Sequence, residues 1–274
     1  PLAPMPTAII QARMSSSRLP GKVLLDIAGQ PMLAHMVERA RRAATVEQVV
    51  VATTTDPSDD AIQRLCLERG YDCYRGSLPD VLDRYTQAAR LFGAQTIVRL
   101  TADCPLLDPH VLDLTVQALA GHDFAADRLP PPWSRSLPIG LDVEVVTLAA
   151  LERAWDEAQE RYHREHVLPY LYEGVVFDPQ PTPVGEQGYY ILQGTSPRGF
   201  SIAQLHHTPD HGALRWTVDT PADLELVRQV FTYLPDPLAL TWLDVLAIFE
   251  QHPELAEINA QIVHKTAYDT DQRL

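Results

Sequence analysis

A short apolar run, Ala8-Ile9-Ile10, passes directly into Gln11-Ala12-Arg13-Met14-Ser15-Ser16-Ser17-Arg18-Leu19-Pro20-Gly21-Lys22. The run predicts a strand, and the small and loop-forming residues after it predict a turn before the next helix. Arg13, Arg18 and Lys22 give that turn three cations. Gly21 is its single glycine, so this is neither a Walker loop nor a dinucleotide fingerprint. Side-chain cations and backbone donors would do the gripping, and a polyphosphate is what they suit. The plain alternative is a basic surface turn whose charges are merely solvated.

Outward from this stretch, short β-rich runs alternate with amphipathic ones. Strands are expected at Thr7–Ala12, Gln48–Thr53, Asp72–Tyr74 and Thr96–Leu100, and helices at Met32–Ala44, Ser58–Arg69, Asp80–Phe92 and Pro109–Ala120. In the first helix Leu33, Met36, Val37 and Ala40 recur at helical spacing, and Arg39, Arg41 and Arg42 are expected to face elsewhere. The alternation predicts an α/β fold, a parallel sheet with helices on both faces. Ligands of such sheets bind beyond the carboxyl ends of the strands, so the cationic loop and Thr101-Ala102-Asp103 should share one crevice. Pro130–Pro132 and Pro138 suggest a surface loop or lid, a strand is expected at Leu141–Val146, and helices at Leu148–Gln159 and Arg164–Leu171. Arg215–Val218 reads as a return strand before a helix at Ala222–Phe231, and a further helical section runs from Thr241 to about Ile262. No linker divides residues 1–274, which read as one domain with irregular acceptor-side or dimerisation segments at about 127–140 and 178–212.

The chain has 274 residues, 46% of them hydrophobic, enough for a full core. Its 22 basic and 36 acidic residues leave a net charge of −14, which argues against nucleic acid or anionic membrane as partners. No apolar run approaches the ~20 residues of a membrane span. Pro1–Pro6 lacks signal-peptide character. Cys66, Cys73 and Cys104 form no paired motif and read as reduced thiols, so a cytoplasmic protein is expected.

Asp103 and Asp219 each end a strand-like run. Either could hold magnesium against phosphate oxygens, and either could simply cap a following helix. Arg75 could approach a base or phosphate, whereas Asp83 and Arg84 could be helix decoration. Asp142 and Glu144 would share one strand face toward an acceptor or toward solvent. His163 and His166 read as polar packing, and His206, His207 and His211 lack the pattern of a zinc site. No hydrolase elbow or Cys/His dyad is present.

Six further ordered blocks extend the opening loop into a family resemblance. They include V-V-V-A-T-T at Val49–Thr54, R-G-S-x-x-D-V-L-D-R-Y at Arg75–Tyr85 and D-C-P-L at Asp103–Leu106. G-L-D-V-E at Gly140–Glu144, R-E-H at Arg164–His166 and L-R-W-T-V-D-T-P-x-D-L at Leu214–Leu224 complete the set. From Thr7 to Glu254 the chain resembles cytidylyltransferases of the acylneuraminate and 3-deoxy-manno-octulosonate type, in particular the spore-coat polysaccharide branch.

The resemblance implies a nucleotide-diphosphosugar-transferase-like (GT-A-like) mixed, mostly parallel sheet, magnesium dependence and a homodimer formed through an extended arm. It places Arg13, Arg18 and Lys22 on the triphosphate, with Ser15 among the nucleotide-binding residues. Ala12 and Arg13 would present backbone groups to cytosine, Arg75 and Thr101 would lie near the base, and Asp103 and Asp219 would ligate Mg2+. Arg13, Lys22, Asp103 and Asp219 are thus the expected catalytic group. Asp142, Glu144, Arg164 and His166 are the expected acceptor-binding group. An acceptor carboxylate would need a cation, for which Arg135, Arg164 and Arg198 are candidates. Many relatives carry glycine where this chain has Ala102.

The expected reaction is transfer of CMP from CTP to a sugar acid with release of pyrophosphate, for surface polysaccharide. The alternatives are a sugar-phosphate acceptor, another nucleoside triphosphate, a GT-A glycosyltransferase, or a nucleotide-binding protein without turnover.

Overall fold

Ile9, Ile10, Val50, Val51, Val98 and Leu100 are wholly buried, and they form the centre of the sheet. Side chains pointing to both faces of a strand stay out of water only when helices cover both, which is why these runs are continuous rather than alternating. The computed structural model describes residues 5–185 and 188–262. In chain order it contains β1 (Thr7–Gln11), a hairpin of β2 (Asp26–Ile27) and β3 (Gln30–Pro31), α1 (Met32–Ala40), β4 (Gln48–Thr54) and α2 (Asp60–Arg69). There follow β5 (Asp72–Gly76), α3 (Val81–Leu91), β6 (Thr96–Thr101), α4 (Pro109–Ala118), β7 (Phe124–Ala126) and β8 (Glu144–Thr147). Then come α5 (Leu148–Glu157), α6 (Arg161–His166), α7 (Pro169–Tyr172), β9 (Val176–Phe177) and β10 (Thr182–Pro183). The last elements are β11 (Tyr189–Thr195), β12 (Ser201–His207), α8 (Pro221–Thr232) and α9 (Trp242–Gln251).

The main sheet runs β10-β11-β12-β7-β8-β6-β1-β4-β5, with β9 also pairing β11. Its core is parallel: β1 lies between β4 and β6, with Ile10 opposite Val51 and Leu100. β8 is antiparallel to β6 and β7, and β12 is parallel to β7. One face packs Leu33 and Met36 of α1, Leu112 of α4 and Val227 of α8. The other packs Leu82, Tyr85 and Ala88 of α3 with Leu151 and Leu171. Each such Leu, Met or Val contributes about 1.5–3 kcal/mol on burial, more than the ~1 kcal/mol spread of strand propensities, so packing decides the sheet.

Several expectations change. Arg39 was expected outside but is fully buried in α1, where its guanidinium donates to the carbonyls of Leu107, Pro237 and Leu240. The segment Asp127–Gly140 is irregular as expected, yet Asp127, Leu129 and Leu137 are buried and it is no free surface loop. Within 178–212, Gly185–His207 was expected as short strands separated by turns, and the structure places β11 and β12 there, paired antiparallel over their whole lengths. The expected helix at Arg164–Leu171 divides at Val167, whose φ of 76° breaks α6 from α7. At the tail, α9 gives way to a 3-10 turn over Pro253–Glu257.

Arg215–Val218 is not a sheet strand. It makes an isolated bridge between Ile139 and Arg215, and the Trp216 N–H donates to Ile139 at 2.7 Å. Gly140 permits this approach: its φ is +112°, and a Cβ there would lie 2.6 Å from Thr217 N. Gly140→Ala should therefore displace residues 215–219 and cost about 1–3 kcal/mol in urea unfolding, with a matching loss of activity. An unchanged unfolding midpoint would show that the contact does not seat this segment.

Candidate active site

The site forms where β1 and β6 end. The Ala102 N–H donates to the Gln11 carbonyl at 3.1 Å, bringing the two strand ends together. The loop that follows β1 folds back on itself, with the Met14 carbonyl accepting from Ser16 at 2.9 Å and Gly21 at 2.8 Å. Asp59 pins it from outside, accepting from Met14 N at 2.7 Å and from the Thr54 hydroxyl. Gly21, at φ +69°, then turns the chain into a 3-10 turn over Lys22–Leu24.

That turn sends Lys22 inward, with its side chain only 11% exposed. Its Nζ donates to Asp103 Oδ2 at 2.9 Å, Asp219 Oδ1 at 2.9 Å and the Val218 carbonyl at 2.8 Å. An ammonium has three protons, and all three have acceptors. Asp219 Oδ2 also receives Arg18 at 3.0 Å and Arg215 at 2.9 Å. Thr101 donates its hydroxyl to Asp103 Oδ1 at 2.6 Å. Burial opposes charge on Lys22, but the attraction of Asp103 and Asp219 outweighs it and raises the pKa. Burial likewise pushes Asp219 upward, yet Lys22, Arg18 and Arg215 hold it at about 2.

Neither aspartate is a helix cap. Thr220 caps α8 in a capping box with Asp223. Asp108 caps α4, accepting from His110 N at 2.7 Å, and also takes the Trp242 N–H at 2.6 Å. The capping alternatives are thereby closed, and both carboxylates face the cleft.

The cleft is lined by Gln11, Ala12, Arg13, Ser16, Ser17, Arg18, Lys22, Thr101, Ala102, Asp103 and Asp219, and also by Arg84 and Glu165. Ser15 lies outside this lining, whose serines are Ser16 and Ser17. Arg75 is outside it too, because it is tied to Asp60 at 2.7 Å, Gln63 at 2.8 Å and the Thr54 carbonyl at 2.7 Å. The expected acceptor-binding group is absent from the lining as well. Asp142 is bound by Arg135 at 2.6 Å and Arg128 at 3.3 Å, and Glu144 forms a buried ion pair with Arg99. Arg164 clamps Asp80, the cap of α3, at 2.6 Å, and His166 ends α6. Asp142, Glu144 and Arg164 thus each carry an ion-pair partner within the protein.

The residues not anticipated are Gln11, Glu165 and above all Arg84. Arg84 falls on the buried 3.6-residue stripe of α3 with Val81, Tyr85 and Ala88, a position at which a cation in a helix is itself a signal.

For a metal, two carboxylates converge with a carbonyl on a single cationic nitrogen. That fits magnesium, which takes one or two carboxylates and completes its shell with water and substrate phosphates. Among the described residues no group of three or more His, Cys, Asp or Glu forms a closed metal cage, His206, His207 and His211 included. No described helix is long and apolar enough to cross a membrane.

A family model of cytidylyltransferases matches residues 7–196. This chain belongs to the cytidylyltransferase family. It is similar to the spore coat polysaccharide biosynthesis protein SpsF of Bacillus subtilis, 28% identical over 90% of this chain and 95% of that one. It is also similar to a 3-deoxy-manno-octulosonate cytidylyltransferase of Anaeromyxobacter sp. (strain K), 31% identical over 80% of this chain and 95% of the relative. A solved cytidylyltransferase from Leptospira borgpetersenii superimposes with a TM-score of 0.79 at 29% identity, over 95% of this chain and 100% of that one. The chain is a nucleotidyltransferase of this family, and the cationic loop and strand-end aspartates read from its sequence fall in one cleft.

Two outcomes follow from the charges. Lys22→Ala removes the cation shared by Asp103 and Asp219 and should cost about 1–3 kcal/mol. Magnesium should then raise the variant's melting temperature more than the wild type's, and an equal response would count against the carboxylate pair as a metal site. Asp127 is wholly buried, and burial with the nearby charge of Asp142 raises its pKa to about 8. Its protonated form stabilises the fold fully below the unfolded pKa near 4, and that contribution is lost as pH rises through about 8. Asp127→Asn should thus lose less stability than the wild type between pH 5 and pH 8 in urea titrations.

Proposed function

We propose that the protein is a magnesium-dependent enzyme that transfers CMP from CTP to a sugar acid of the nonulosonic or 3-deoxy-keto type. The observation that carries this reading is Lys22 Nζ held at 2.9 Å from both Asp103 and Asp219 in a cleft that Arg13 and Arg18 also line. Cations for a polyphosphate and carboxylates for a divalent ion meet there within hydrogen-bond distance. Similarity to a protein called a 3-deoxy-manno-octulosonate cytidylyltransferase supports CTP as donor and a sugar acid as acceptor. Similarity to a spore coat polysaccharide biosynthesis protein supports a role in surface polysaccharide.

In this reaction the acceptor's anomeric hydroxyl loses its proton to solvent and adds to the α-phosphorus as the α–β anhydride bond breaks, and pyrophosphate leaves with the bridging oxygen. Such a displacement needs alignment and charge neutralisation more than a protein nucleophile. Arg13, Arg18 and Lys22 hold the β- and γ-phosphates and offset charge growing on the leaving group. Backbone groups at Ala12 and Arg13 hold the base end. Asp103 and Asp219 would hold magnesium, which when bound supplies charge neutralisation at the phosphates. Thr101 keeps Asp103 oriented through its 2.6 Å hydrogen bond.

A GT-A glycosyltransferase would release a nucleoside diphosphate or monophosphate from a sugar donor. The decisive assay offers each of the four nucleoside triphosphates with sugar acids and sugar phosphates and reads pyrophosphate. CTP with a sugar acid should release it, and Asp103→Asn should abolish release while leaving the melting temperature near the wild-type value. Near-normal turnover by that variant would sink the metal role of Asp103.

A further inference from the structure

Arg84 is 1% exposed, and its Nε and Nη1 are buried with no hydrogen-bond partner. A guanidinium has five N–H donors, so an uncompensated one is a costly thing to bury. Glu165 lines the same cleft, yet neither of these Arg84 nitrogens donates a hydrogen bond to it, and two other nearby carboxylates are already engaged. Asp59 is occupied by Met14 N, Thr54 N and the Thr54 hydroxyl, and Glu144 by Arg99. Gly76 leaves room for the arginine stem, since a Cβ there would sit 3.2 Å from Arg84 Cγ. Burial, with the like charge of Arg13 adding to it, pulls the Arg84 pKa down to about 10, and the group stays charged at neutral pH.

Its placement says what could neutralise it. Arg84 lines the same cleft as Lys22 but reaches it from the other face of the sheet. Val23, beside Lys22, packs into the core beneath α1, whereas Tyr85, beside Arg84, packs into the core beneath α5. Arg13, Arg18 and Lys22 already serve a triphosphate. The three cations that the sequence offers for an acceptor carboxylate are engaged elsewhere: Arg135 with Asp142, Arg164 with Asp80 and Arg198 with Glu173.

We infer that Arg84 anchors the carboxylate of the acceptor sugar acid, holding it across the sheet edge from Lys22, Asp103 and Asp219. The inference rests on the sugar-acid reading above. A planar guanidinium with two buried N–H groups that donate to nothing in the protein suits a carboxylate, which takes both.

The test follows pyrophosphate release with CTP and whichever of 3-deoxy-manno-octulosonate and N-acetylneuraminate the wild type uses. Each acid is compared with its analogue carrying a primary alcohol in place of the carboxylate. Arg84→Met should lose roughly 10- to 100-fold in kcat/KM for the acid, with little change for the analogue and an unchanged KM for CTP. Arg84→Lys should recover part of the loss. The melting temperature of Arg84→Met should rise, because an uncompensated charge has gone, and this also reports that the variant folds.

A preference for the acid that survives in a folded Arg84→Met overturns the proposal. So does a loss confined to the KM for CTP, which would put Arg84 on the nucleotide. A wild type that releases no pyrophosphate with either acid instead removes the sugar-acid reading, and the inference falls with it.

Discussion

One ammonium joins the parts of this site. Lys22 reaches Asp103 across 81 residues of chain and Asp219 across 197, with all three of its protons engaged. The loop after β1 is shaped to deliver it, held by Asp59 from β4's side and turned by Gly21. In the proposed reaction, a phosphate that took one of those protons would displace Asp103, Asp219 or the Val218 carbonyl, so nucleotide binding would exchange partners on Lys22. A carboxylate released in that exchange would be open to the divalent cation of the proposed reaction. On that reading, phosphate grip and metal grip would be coupled through a single nitrogen.

How far the sequence discloses this depends on the range of the interaction. β1, β4 and β6 are legible because their apolar runs are buried on both faces, and local pattern records that. The approximate helix spans over Met32–Ala40 and Val81–Leu91 are legible for the same reason. The ambiguity at Asp103 and Asp219 has a local resolution, since Asp108 and Thr220 are better placed to cap. Arg215–Val218 reads as a strand because it alternates, but it seats itself through one bridge and the close approach at Gly140.

Charges inside helices are where sequence reading fails most. Arg39 and Arg84 both lie on apolar stripes and look like surface residues only if cations are assumed to face water. What satisfies Arg39 is a set of carbonyls some 68 to 201 positions away, which no local pattern encodes. The same holds for Asp142, Glu144 and Arg164, whose ion pairs with Arg135, Arg99 and Asp80 no local pattern announces. Their motif positions are visible in the sequence, but their commitment to one another is not.

The bonds of Arg39 to Pro237 and Leu240 bear on the order in which the chain is made. During synthesis α1 leaves the ribosome about 200 residues before the carbonyls that receive its guanidinium, an interval of roughly 10–40 s at ordinary elongation rates. Until then the most buried cation of α1 lacks two of its three acceptors, and Asp219 has not reached Lys22. The nascent protein can assemble the parallel core of β1, β4, β5 and β6, but it cannot seal that face or finish the cleft. Completion of the cleft is therefore tied to synthesis of the segment that carries Asp219, Pro237 and Leu240.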